Sequence, residues 1–134
     1  MIVVDTNLVV HLLIEDEKSG VARAVWSKDS DWMLPAFWTS EFLNVLTTLV
    51  RHGVLTLRDA HATWHLALTI FDDAEIQPAG DDVLDMAAKR KLSAYDAQFA
   101  VVAADLDVSL VTFDRDLLKA CPELAVAPEH FTAS

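Results

Sequence analysis

Two spacings alternate along this chain. Short apolar runs rich in β-branched or aromatic residues occur at 2–4, 32–34, 75–77, 109–112 and 124–127, bounded by Asp, Pro or turn residues. Runs of that length and composition predict buried strands. Between them apolar residues recur at helical spacing. A short helix covers 8–14, closed by Glu15-Asp16-Glu17-Lys18, and a second carries Val21, Ala24 and Val25. A third, capped by Thr39 or Ser40 and ended by Gly53, puts Phe42, Leu43, Leu46, Leu49 and Val50 on one stripe. A fourth starts at Thr56 with Leu57, Ala60, Trp64, Ala67, Leu68 and Phe71 inward. Helices over 81–90 (Val83, Leu84, Ala87 and Ala88 inward), 93–104 and 114–120 complete the series. Strands separated by helices imply parallel βαβ units. The pattern predicts an α/β fold, a three-layer α/β/α sandwich around a central, mainly parallel sheet. No repeat or linker divides residues 1–134, so one domain is expected.

Composition narrows the setting. No apolar run reaches the length of a membrane span, and the N-terminus reads as a strand rather than a targeting signal. The lone Cys121 allows no intrachain disulfide, which suits a reducing cytoplasm, the expected location. Charge says more. Asp plus Glu number 21 against 10 Lys plus Arg, a formal −11. Because Lys and Arg contacts build affinity for phosphate, such a surface repels nucleic acid over most of its area. Three readings survive: no nucleic-acid contact, metal cations bridging acidic side chains to phosphate, or acidity that only keeps the protein soluble.

The positions of particular acids favour the second. Singly each has a structural role open to it: Asp5 and Asp114 can cap helices, Asp96 lies three residues after Ser93 as in a capping box, and Glu41 falls in a first helical turn. Together they converge. In open parallel sheets the crevice lies beyond the carboxyl ends of the strands. Asp5 and Asp114 follow strands, while Glu41 and Asp96 begin helices that point to the same edge. Clustered carboxylates repel unless they protonate or a cation neutralises them. Oxygen donors without Cys or His select Mg²⁺ or Mn²⁺.

Four segments carry a resemblance: Asp5-Thr6-Asn7 after the first strand, Trp38-Thr39-Ser40-Glu41-Phe42-Leu43-Asn44-Val45-Leu46, Ser93-Ala94-Tyr95-Asp96-Ala97, and Val111-Thr112-Phe113-Asp114-Arg115-Asp116-Leu117. In this order and spacing they resemble the PIN domain, and within it the VapC-type ribonuclease toxins, over residues 2–118. The resemblance implies a PIN-like sheet order, a Mg²⁺- or Mn²⁺-dependent endoribonuclease, homodimerisation, and a cognate antitoxin whose C-terminal segment lies across the active-site groove. Carried over by position, Asp5, Glu41, Asp96 and Asp114 form the acidic quartet, with Asp116 an outer metal candidate. Asn7 and Thr112 are expected to orient the acids by hydrogen bonding. A PIN nuclease that is not a toxin remains an alternative.

No His or Lys stands beside the quartet in sequence, so hydrolysis by metal-activated water is the chemistry indicated. Lys89-Arg90-Lys91, upstream of Asp96, either holds phosphate or solvates a helix C-terminus. Arg115 is expected to pair with the acids beside it. His61 and His65, spaced i, i+4, lack a third ligand and read as surface residues. Trp26, Trp32, Trp38 and Trp64 read as core or interface rather than base-stacking platforms. The 35–38 segment and the helix around Trp64 are candidates for partner contact. A haloacid-dehalogenase-type phosphatase would need Asp where Asn7 stands, and a receiver domain a late Lys; neither accounts for Glu41. A catalytically silent acidic binding module is the alternative from another class.

Overall fold

The first strand shows how the layers arise. In β1 (Ile2–Val4) Ile2 and Val4 belong to one buried cluster, while Val3 belongs to another. This is the period-two alternation of a strand covered on both faces. The computed structural model describes residues 1–134 and completes the sheet with β2 (Trp32–Pro35), β3 (Glu75–Ile76), β4 (Leu110–Val111) and β5 (Ala125–Val126). All four pairings are parallel, and the order is β3-β2-β1-β4-β5.

Eight helices cover the sheet: α1 (Thr6–Leu13), α2 (Ser19–Lys28), α3 (Trp38–Arg51), α4 (Leu57–Phe71), α5 (Gly80–Arg90), α6 (Ala94–Leu106), α7 (Arg115–Ala120) and α8 (Pro128–Ala133). Helices α1 to α4 bury Leu8, Val25, Trp38, Phe42 and Phe71 on the Ile2/Val4 face. On the Val3 face, α6 and α7 bury Phe99, Val102 and Leu117, with α5 packed outside α6 through Val83. Two of the four tryptophans are core residues, and Trp26 and Trp64 pack partly buried against that core. Trp32 and Trp38 are buried, Trp26 meets Trp32 edge-on at 5.1 Å, and Trp32 stacks on Phe71 at 6.0 Å.

Several boundaries and faces differ from the sequence reading. Helix α3 starts at Trp38, with no side-chain cap, and Thr39 sends its hydroxyl back to the Ala36 carbonyl at 3.4 Å. Burying the Trp38 ring against Phe42 and Phe71 sets that start. The 35–38 segment is consequently no free partner surface: Trp38 is buried and Phe37 packs on Phe99 at 5.5 Å. Ala22, not Ala24, faces the core from α2. Leu57 and Leu84 are 64% and 67% exposed. Leu57 opens α4 at N1, ahead of the stripe that reaches the core, and α5 packs mainly against α6, which leaves Leu84 uncovered. The 109–112 run is a regular strand only over Leu110–Val111; Thr112 still donates its N–H to the Val126 carbonyl at 3.1 Å, and its side chain takes a different task. Helix α8 went unread because 128–133 has few apolar residues. It begins with Pro at its first turn and is held to α2 by Lys28, whose Nζ reaches the Ser134 carbonyl at 2.7 Å.

Candidate functional site

The order of strands decides where a site can be. From central β1 the chain builds outward through β2 and β3 on one side, then returns to build β4 and β5 on the other. Connections leaving β1 and β4 therefore part in opposite directions, opening a crevice beyond their carboxyl ends. Asp5 directly follows β1, and Asp114 follows β4 by three residues.

Asp5 is buried and held by three donors. Its Oδ1 accepts the Leu8 N–H at 2.9 Å, capping α1; its Oδ2 accepts the Thr112 hydroxyl and, at 3.2 Å, the Phe113 N–H. Thr112 Oγ1 in turn accepts the Asp114 N–H at 2.9 Å. One buried hydroxyl thus ties the ends of β1 and β4 together. Asp114 caps α7, its Oδ1 accepting from Asp116 and Leu117 N–H at 2.8 and 3.1 Å. Glu41, in the first turn of α3, accepts the Thr6 hydroxyl at 2.6 Å. Asp96 opens α6, where Ser93 Oγ accepts its N–H at 3.1 Å. Capping and convergence are therefore not rivals for Asp5 and Asp114, whose caps fix them beside the crevice.

That crevice is a cavity of about 190 Å³ walled by Asp5, Glu41, Asp96 and Asp114, with Asn7 and Asn44 at its margin. Asp116 lies outside it, on the far side of Asp96, in an adjoining groove. No Lys, Arg or His stands within ion-pair distance of any of the five. Arg115, expected to pair with its neighbours, makes no such contact; it is exposed at N1 of α7 and leaves Asp114 and Asp116 uncompensated. Burial pushes the Asp5 carboxyl above its usual range, against the Thr112 and Leu8 donors that pull it down. Burial also raises Glu41, with the Thr6 bond opposing and Asp5 and Asp96 reinforcing. For Asp96 burial is again the largest cause, followed by repulsion from Asp114 and Asp116.

This donor set fits a hard dication. It is all oxygen, strongly anionic and without an internal counter-ion. No three of the carboxylates converge on a common point at ligand distance. Asp5 and Asp114 are committed to caps, so drawing in the less committed Glu41 and Asp96 is the adjustment a cation would require.

One of the two expected orienting residues differs. Thr112 does bond Asp5, but Asn7 is exposed and its side chain bonds none of the acids. Thr6 takes that role by orienting Glu41. A helical reading of the first turn of α1 places Thr6 beside Asp5, the one signal that points to it. Asn44, one turn after Glu41 on α3, was also missed; the i, i+3 relation places both on one face. His61 and His65 are exposed on α4 and belong to no metal-holding group.

The Thr112 link gives a direct prediction. Thr112→Val leaves the Asp114 N–H without its acceptor and takes one of its three donors from Asp5. Each lost partner in a buried setting costs about 1–3 kcal/mol. The variant is expected to lower the unfolding free energy by that order, read as a lower denaturation midpoint at unchanged m-value; an unshifted midpoint contradicts the role.

Residues 2–122 match the family model described as PIN domain. Among solved structures, the crystal structure of PAE2754 from Pyrobaculum aerophilum shares 24% identity and a TM-score of 0.77, covering 98% of this chain and 93% of that one. The crystal structure of FitAcB from Neisseria gonorrhoeae shares 20% identity and a TM-score of 0.67, covering 97% and 99%. At these identities the likeness is one of fold. No curated protein sequence matches the chain.

Proposed function

We propose, from the premise that this chain belongs to the PIN domain family, whose members are generally metal-dependent nucleases, that it is a Mg²⁺- or Mn²⁺-dependent endoribonuclease, the toxin of a toxin–antitoxin pair of the VapC type. One observation carries the reading: four carboxylates from four segments share one cavity that holds no cationic side chain. Asp5, Glu41, Asp96 and Asp114 hold the dication, with Asp116 available on the outer side. Bound there, the ion supplies the positive charge that offsets a phosphodiester's and lowers the cost of ionising an attacking water.

The chain's own residues do the positioning. Asp5 and Asp114 are fixed by backbone N–H donors and cannot swing away. Glu41 is steadied by Thr6, and Asp96 stands at the rim shared with the adjoining groove. No serine, cysteine or histidine side chain lines the cavity, and the Thr6 hydroxyl there is engaged in orienting Glu41, so water is the nucleophile in this reading.

The motif resemblance supports the antitoxin and the homodimer, and the surface offers a place for a protein partner. Between α3 and α4 runs an apolar groove of about 540 Å³ lined by Leu43, Leu46, Val50, Leu57 and Trp64. No helix is long and apolar enough to cross a membrane; a cytoplasmic location is part of the same proposal.

The test uses purified protein, total RNA and Mn²⁺, with the fragment ends mapped. Discrete new ends that vanish with chelator and with Glu41→Gln are expected. The glutamine keeps an oxygen for Thr6 and removes only the charge. Ends that persist undiminished in Glu41→Gln overturn the assignment.

A further inference from the structure

The acidic cavity does not end at Asp96. The same residue lines a second, larger groove of about 560 Å³, together with Lys91, Ser93, Asp116 and Lys119. We infer that this groove is a subsite for the backbone phosphate next to the one being cut in a single-stranded RNA, received by Lys91 and Lys119. The inference rests on the nuclease reading and assigns where the strand leaves the cavity.

The placement follows from two helices that each carry an acid of the site at one end. Lys91 is the residue after α5, and the turn from Lys91 to Ser93 leads straight into α6, whose first turn bears Asp96. Its backbone is left-handed, φ 58° and ψ 45°, a conformation that glycine adopts more readily. On α7, Asp116 and Lys119 are i, i+3 and share a face. That spacing invites a local ion pair, yet neither lysine has a carboxylate within 4.0 Å. Both ammonium groups are thus left for a ligand, in a chain with only ten Lys and Arg.

The groove is also braced. Arg90 Nη1 donates to the Ala120 carbonyl at 3.1 Å and Nη2 binds the Glu123 carboxylate, tying the end of α5 to the end of α7. Arg90 lines the groove as well, and its buried Nε has no acceptor within the chain. Of the Lys89-Arg90-Lys91 run, Arg90 is therefore mainly a brace and Lys91 faces the site. Lys89 lines a different pocket, among Asp82, Asp85 and Asp105. The cation that joins Lys91 comes from α7 instead.

An acidic cavity and a basic groove side by side suit a polyanion that needs a dication at one phosphate and ammonium groups at the next. A free mononucleotide has no second phosphodiester to occupy the groove. The oligonucleotide chain does.

The test compares Lys91→Ala/Lys119→Ala with the charge-matched control Arg58→Ala/Lys89→Ala. Both remove two positive charges, so general repulsion by the acidic surface is the same. Binding of a fluorescent single-stranded RNA in Mg²⁺ is measured in a Glu41→Gln background, which suppresses cutting and leaves the groove intact. The groove variant is expected to bind at least about tenfold more weakly than the control. Its log-affinity against log-salt slope should be shallower by about 0.7, the loss of one neutralised single-strand phosphate. In the otherwise unsubstituted enzyme the same pair should raise KM with kcat little changed, the mark of binding shared by ground and transition states. Equal affinity and slope in the two variants, or no RNA binding by the Glu41→Gln parent, overturns the subsite. Cutting that survives with an unchanged KM removes the subsite while leaving the nuclease standing.

Discussion

Asp96→Asn is expected to abolish RNA cutting while making the metal-free protein more stable. Losing a residue that merely orients a metal ligand typically costs 10–100-fold, so losing one of the acids itself should cost at least about 100-fold in kcat/KM. The gain in stability has a separate origin. Burial and the charges of Asp114 and Asp116 hold the Asp96 carboxyl above its usual range, so its ionised form opposes folding at neutral pH. An uncharged amide of the same shape removes that opposition. A rise of about 2–5 °C in the melting temperature with chelator present is the expected scale for a domain of this size. Asp5→Asn should lose activity too, but with the opposite effect on stability. Asp5 accepts N–H donors at both oxygens, from Leu8 and from Phe113. Whichever way an amide is turned, its NH₂ faces one of them, and the buried donor left unsatisfied costs about 1–3 kcal/mol. Calorimetry of both variants beside their cutting rates checks the pair. If Asp96→Asn melts lower than the parent in chelator, uncompensated charge is not what strains this site.

The contrast between Asp5 and Asp96 also shows what could be read from the chain and what could not. Asp5 and Asp114 were placed beside one crevice because a strand's end is legible as the point where a β-branched run stops. The all-parallel sheet follows from the same alternation of runs. The order β3-β2-β1-β4-β5 is not periodic information. It came only with the family resemblance, and it is what puts the exits of β1 and β4 side by side. Thr6 and Asn44 were passed over because a single threonine or asparagine in a helical turn has many uses, and only the fold shows which acid lies opposite. Lys119 was invisible for a similar reason. It lies 28 residues beyond Lys91, and a contiguous Lys89-Arg90-Lys91 run is the more conspicuous basic signal, although Arg90 is occupied by Glu123 and Lys89 lines another pocket. Helix faces failed where a helix is covered on one side only, as at Leu84 on α5. Exposed apolar residues are common on such surfaces and carry no mark in the sequence.

Adding Mn²⁺ should raise the melting temperature strongly at neutral pH and weakly in mild acid, whereas the metal-free protein should behave the other way round. A ligand that binds only the folded state adds RT ln(1 + [L]/Kd), about 2.7 kcal/mol at one hundred times Kd. That corresponds to roughly 8–12 °C for a domain of this size. The pH dependence follows from the direction of the shifts. Asp5, Glu41 and Asp96 have folded pKa values above their unfolded ones, with burial the first cause for each. In the window between the two values the folded state binds more protons, so metal-free stability falls as pH rises through it. Acidifying from neutrality through the folded values should therefore stabilise the metal-free chain, down to the ordinary carboxylate range near pH 4. Below that the sign reverses. Asp16, bonded to His11, Asp29, bonded to the N-terminal ammonium, and Glu123, bonded to Arg90, have lowered values, and their contribution is lost as they protonate. The cation inverts the upper window, because it binds the ionised acids and competes with their protons. Melting curves at several pH values, with chelator and with millimolar Mn²⁺, should converge toward the acid end and separate at neutral pH. In Glu41→Gln/Asp96→Asn the separation should largely close. A Mn²⁺ effect that survives in that double variant means the ion binds elsewhere, and the shared cavity is then not the metal centre.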